Sequence, residues 1–161
     1  MSNLQVTINI TKQSLEVSDG DAVLFHTLVS TAFNGAGEKN GSECTPRGRH
    51  IIRAKIGEGC DLNTVFVARR PSNEVFSENL QQQFPKRDWI LTRILWLSGC
   101  ESGINRSGNV DTMRRYIYIH GCPDGTKMGV PASHGCIRMT NKDVVTLFDL
   151  LPVGTDVLIC E

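Results

Sequence analysis

The sequence predicts a mainly β domain, a β-sandwich or barrel-like fold with one clear helix in its C-terminal half. Three observations point there. Short runs with period-two alternation of apolar and polar residues recur along the chain. Stretches rich in Gly, Asn, Ser and Pro separate them. Sustained helical spacing stands out in one segment near the C-terminus. The 161 residues fit one compact domain, taken as 1–161.

Leu4, Val6, Ile8 and Ile10 alternate with Gln5, Thr7 and Asn9, so the first strand has one apolar face. Ser18-Asp19-Gly20-Asp21 reads as a turn into a second strand over Ala22 to Val29. Asn34 to Gly48 reads as a long surface loop. His50 to Ile56 and Phe66 to Arg69 read as strands, and Ile90 to Leu97 as an apolar one. Gly99 to Asn109, with glycines at 99, 103 and 108, is a second loop. Tyr116 to Ile119 is a short β-forming run that ends at His120. A helix then starts near Asn141, where Thr140 or Asn141 can cap it and Asp143 favours the positive end of its dipole. Val144, Leu147, Phe148 and Leu151 hold helical spacing until Pro152 and Gly154 stop it. Val157 to Cys160 closes the chain as a strand.

Composition excludes some partners. Lys plus Arg and Asp plus Glu both number 17, for a formal net charge of zero. A nucleic-acid partner is disfavoured, because binders carry a basic excess. No window approaches the run of roughly 18 apolar residues that spans a membrane, and no polybasic anchor stands out, so no membrane partner is expected. The start Met-Ser-Asn-Leu-Gln-Val has no positive segment leading into an apolar one, so a cytoplasmic location is expected. The six cysteines, at 44, 60, 100, 122, 136 and 160, then read as free thiols.

The chemistry concentrates in YIYIHGCPDGTKMGVPASHGCIRMTN, residues 116 to 141. A β run delivers His120, a Gly/Pro-rich loop follows, and Ser133-His134-Gly135-Cys136 leads toward the capped helix. Cys136 is the candidate nucleophile. A nearby helix N-terminus and an adjacent His are expected to lower its pKa and favour the thiolate. Gly135 permits a tight turn and a close approach by a substrate carbonyl. The N–H groups of Gly135 and Cys136 can form an oxyanion hole.

This pattern resembles the L,D-transpeptidase catalytic (YkuD-type) domain family. That family carries a His and, after a loop, Ser/Thr-His-Gly-Cys, a hydrophobic residue and Arg or Asn. Thr45-Pro46-Arg47-Gly48 looks like its TPxG element. Arg93 to Gly121 and Asn141 to Ile159 are also similar, so the resemblance covers roughly residues 45 to 160. It implies that Cys136 forms a thioester, that His120 is base and then acid, and that the Gly121 carbonyl orients the imidazole. Ser133, His134 and Gly135 would shape the site, with the oxyanion on N–H groups near Cys136. Arg138 would hold the loop or bind a substrate carboxylate. The implied substrate is the stem peptide of peptidoglycan or a muropeptide, cut before its terminal D-amino acid. Carbapenem-type inhibitors are implied ligands, and no cofactor or metal is. Cys122, just after His120, departs from the pattern. In the cytoplasm water would be the acceptor, giving an L,D-carboxypeptidase that releases terminal D-Ala in wall recycling. Elsewhere the same thioester would support transpeptidation.

Blander readings stand beside these. Cys60, Cys100 and Cys160 fit inert packing. His26 and His50 fit satisfied strand histidines. Tyr116 and Tyr118 fit β packing, and His134 and Arg138 could be structural. The pairs His120/Cys122 and His134/Cys136 could instead make a tetrahedral zinc site, although one residue between ligands is tighter than usual. An inactive wall-peptide binder would keep the same fold.

Overall fold

The computed structural model describes residues 3–161. Three strands open the chain: β1 (Leu4–Asn9), β2 (Ser14–Asp19) and β3 (Ala22–Leu28). Then come β4 (Gly48–Ile56), β5 (Thr64–Val67), β6 (Arg70–Val75) and a short helix α1 (Glu78–Gln83). The second half holds β7 (Leu91–Gly99), β8 (Tyr118–Gly121), β9 (Ile137–Met139), α2 (Asn141–Leu150) and β10 (Asp156–Cys160). All ten strands belong to one sheet, in the order β3-β2-β1-β10-β4-β7-β5-β6, with β8 joined to β7 and β9 to β8.

The sheet curls until its ends meet. Ser30, just past β3, exchanges backbone hydrogen bonds with Arg138 of β9 at 2.9 and 2.8 Å. That contact closes a ring running from β3 through β1, β10, β4, β7 and β8 to β9, the barrel-like mainly β fold that the alternation predicts. Val6, Ile8, Leu15 and Val17 from one end share a core with Ile119, Ile137 and Met139 from the other. Val144, Leu147, Phe148 and Leu151, the stripe read from the sequence, close that core from α2. The Thr140 hydroxyl accepts from the Asp143 N–H as the helix cap.

Several boundaries differ from the sequence reading. Ser18 and Asp19 lie in β2, so the turn into β3 is only Gly20-Asp21, with Gly20 at φ +60°. Phe66 and Val67 end β5, and Ala68-Arg69 form the turn into β6. Tyr116 has φ +57°, so β8 starts two residues late, at Tyr118. Strands β2, β6 and β9 and helix α1 were not foreseen. β6 is polar, α1 buries no residue and β9 has only three residues, too few for alternation to register, whereas β2 does alternate, with Leu15 and Val17 buried.

Candidate active site

Period-two alternation decides which side chains reach the site. Along β8 and the residue before it, Ile117 and Ile119 point into the core, so Tyr118 and His120 point away from it. On β9, Ile137 and Met139 enter the same core, and Arg138, with Cys136 just before the strand, takes the opposite face. The two strands run parallel, with His120 opposite Arg138. Cys136, His120 and Arg138 therefore line one cavity of about 270 Å3, together with Arg69, Asp88, Arg115, Tyr118, Ser133 and His134.

His120 is buried, and its Nδ1 sits 2.6 Å from the Gly121 carbonyl oxygen. That carbonyl can only accept, so Nδ1 carries the proton and Nε2 keeps a free lone pair. Burial lowers the imidazole pKa, against a smaller opposing effect of the Gly121 bond. The ring is thus a neutral base with a fixed tautomer. Position 121 has no room for a side chain: a Cβ there would lie 2.7 Å from the Leu91 carbonyl and closer still to Asn141.

Cys136 Sγ accepts from the Tyr118 N–H at 3.3 Å and donates to the Tyr116 carbonyl at 3.4 Å. Burial pushes its pKa up to about 12, and the Tyr118 N–H offsets only part of that. This departs from the expected thiolate, for a geometric reason. Strand β9 intervenes between Cys136 and the start of α2. At about 3.3 Å per residue it holds the helix N-terminus roughly 10 Å away, beyond useful reach of its dipole. The exposed His134 lies on the cavity rim, beside Cys136 in sequence. Burial therefore favours the neutral form of both the thiol and the imidazole.

The Ser133–Cys136 turn is held from both sides. Ser133 Oγ donates to the Cys136 carbonyl at 2.5 Å and accepts from the Gly135 N–H at 3.2 Å. Gly135 has φ +134°, and a Cβ there would meet Ile117 at 3.0 Å and the Cys44 carbonyl at 3.2 Å. The buried Thr45 hydroxyl donates to the Gly135 carbonyl at 2.9 Å and accepts from the Ala32 N–H at 3.0 Å. Thr45 of the TPRG element thus ties the 34–48 loop to the turn that presents Cys136. Thr45→Val leaves both buried backbone groups unpaired. It is expected to cost about 2–4 kcal/mol, checked as a lower urea midpoint with unchanged slope.

Cys122, His50 and His26 fall outside the cavity. Cys122 is buried and donates to the Met139 carbonyl at 3.1 Å, and burial raises its pKa. Among the described residues no three His, Cys, Asp or Glu side chains cluster as metal ligands, so the two HGC motifs do not face one another as a zinc site requires. His50 is buried between the Gly48 carbonyl and the Thr112 hydroxyl, 3.0 Å from each, and His26 is exposed on β3. Arg138 is engaged by Asp88 at 3.0 Å. Asp88, Arg115 and Arg69 were not singled out from the sequence, because each reaches the cavity only through tertiary contacts. Among the described residues, no helix is long and apolar enough to cross a membrane.

The profile of the YkuD L,D-transpeptidase catalytic domain matches residues 4–159. The chain belongs to this family. It is similar to the Bacillus subtilis protein YqjB, a candidate L,D-transpeptidase by its name, with 51% identity over 47 residues. That match covers 29% of this chain and 27% of YqjB. Among solved structures, it resembles L,D-transpeptidase 3 of Mycobacterium tuberculosis, in complex with a faropenem-derived adduct. Identity there is 15%, the TM-score is 0.60, and the match covers 99% of this chain and 61% of that one. It also resembles the L,D-transpeptidase LdtMt1 in complex with imipenem, at 20% identity and TM-score 0.59, covering 98% and 59% of the two chains. These likenesses show the fold. The match spans about a quarter of the curated relative and about three-fifths of each structural neighbour.

Proposed function

We propose that this domain is a cysteine L,D-peptidase acting on peptidoglycan stem peptides, and that it releases terminal D-Ala from tetrapeptides as an L,D-carboxypeptidase. The observation that carries the reading is that Cys136 and a buried, tautomer-fixed His120 line the same cavity. His120 Nε2 takes the thiol proton as Sγ bonds to the scissile carbonyl carbon. The Cys136 N–H, with the Gly135 N–H shared from Ser133, holds the oxyanion. The C–N bond breaks, His120 returns its proton to the leaving amine, and D-Ala departs from the thioester. Water then attacks the thioester as His120 takes its proton, the C–S bond breaks to release the acid, and His120 returns the proton to the Cys136 sulfur, restoring the thiol. No step calls on a cofactor. The hydrolytic outcome is proposed together with a cytoplasmic location, where cross-linkable wall strands are absent and water is the abundant acceptor.

A second reading, transpeptidation, is favoured by the family and by the two neighbours named as L,D-transpeptidases. Mass spectrometry of a disaccharide-tetrapeptide incubated with the protein separates the two, with and without excess D-methionine. The expected result is tripeptide in both cases. Substantial conversion to a tetrapeptide ending in D-methionine would make the enzyme a transpeptidase. No product at all would sink both readings.

A further inference from the structure

Three guanidinium groups line the cavity that holds Cys136, and they are engaged differently. Arg115 is half-buried and gives its N–H groups to the carbonyls of Gly37, Glu38 and Cys44 and to the Ser42 hydroxyl, at 2.7 to 3.4 Å. It is a structural clamp on the 34–48 loop. Arg138 is neutralised by Asp88 at 3.0 Å. Arg69, like Arg138, makes one side-chain hydrogen bond, but its charge is not met by a carboxylate among the described residues. That bond runs from Nη1 to the Tyr118 hydroxyl at 3.0 Å. An arginine carries five N–H donors, so most of its fork is unspent.

Its placement is nonetheless fixed. The guanidinium lies over the Tyr116 ring at 4.6 Å and the Trp96 ring at 5.0 Å. The backbone beneath it is a two-residue hairpin turn in which Ala68 and Arg69 both adopt positive φ, +48° and +63°. Such a turn ordinarily takes Gly or Asn, so two side-chain-bearing residues there store strain. Tyr116, whose ring supports the guanidinium and whose carbonyl accepts from Cys136, is itself at φ +57°. Strained backbone therefore converges on one stacked cation at the cavity wall. Tyr118 joins that cation to the nucleophile, because its hydroxyl accepts from Arg69 and its N–H donates to Cys136 Sγ.

We propose that Arg69 is the specificity residue that receives the free α-carboxylate of the substrate's terminal D-amino acid, restricting the site to stem-peptide ends. The proposal rests on the stem-peptide reading above and goes further, by separating chain ends from internal or cross-linked peptide bonds. A terminal residue carries its carboxylate just beyond the scissile nitrogen. A planar guanidinium with free donors suits that group through paired, charge-assisted hydrogen bonds. An amidated or cross-linked terminus offers no charge there and leaves the fork unpaired.

Binding tests this without turnover. Cys136→Ala protein is titrated calorimetrically with a tetrapeptide stem ending in D-Ala, as the free acid and as the C-terminal amide. The acid is expected to bind about 30-fold more tightly, the size of a lost charged hydrogen bond. Adding Arg69→Ala is expected to bring that ratio close to one, and Arg69→Lys to leave an intermediate ratio, since it keeps charge without the fork. Equal binding of acid and amide, binding of neither, or a preference that survives both Arg69 variants overturns the assignment. A preserved acid preference in a protein whose Cys136 form turns over neither peptide would sink the peptidase reading and leave Arg69 as a carboxylate anchor.

Discussion

Cys136→Ala is expected to lower turnover of a disaccharide-tetrapeptide by about 10^4-fold or more, and to abolish the mass increase that a carbapenem leaves on the intact protein. The other thiols are poorly placed to substitute. Cys122 is buried with its Sγ on the Met139 carbonyl. Cys44 Sγ contacts the carbonyls of Asn34 and Ser42 at 3.6 Å, and Cys160 Sγ contacts that of Ile8 at 3.6 Å. Cys136 alone among the six lines the cavity with His120. The fold is expected to survive, because alanine keeps the Cβ and loses only two long sulfur contacts. The unpaired Tyr118 N–H costs about 1 kcal/mol, a fall of a few degrees in Tm. Retained turnover, or an adduct that persists in the variant, would move the nucleophile to another cysteine.

The fold class, and the cavity that Cys136 and His120 share, were legible because both rest on local pattern. Alternation over Leu4 to Ile10 and helical spacing over Val144 to Leu151 carry into the core unchanged. The motif at 133–136 requires its residues in order, since Ser133 closes the turn onto Cys136 and Gly135 alone tolerates the approach of Ile117 and Cys44. β2 alternates, with Leu15 and Val17 in the core, but β9 and α1 left little local trace. Strand β9 exists because three residues find β8 on one side and Ser30 on the other. The protonation state of Cys136 was misread for a related reason. Sequence distance to the helix is short, but an extended strand fills it, and burial then outweighs any nearby dipole. Arg69 and Asp88 were invisible because neither lies near the motif in sequence. The hairpin tip and the loop after α1 bring them to the cavity.

His120→Ala is expected to slow turnover at neutral pH by about 10^2–10^4-fold and to change the shape of the pH profile, which tests the neutral resting pair. Burial pushes the thiol pKa up to about 12, so the neutral thiol is favoured at pH 7. Attack in the native protein therefore requires His120 to take the proton during the step. Its folded pKa lies below the ordinary 6.5 because burial disfavours the imidazolium. Activity should fall only as pH drops through that lowered value, and stay level above it. Without the imidazole, the residual rate depends on pre-formed thiolate and should climb about tenfold per pH unit through the alkaline range. Iodoacetamide labelling of native Cys136 gives a substrate-free check: its rate should keep rising with pH from 7 to 10. A labelling rate already level at neutral pH would mean a standing thiolate–imidazolium pair, and the neutral pair would have to be abandoned. A variant as active as the native protein would transfer the role of base to His134, the other imidazole on the cavity wall.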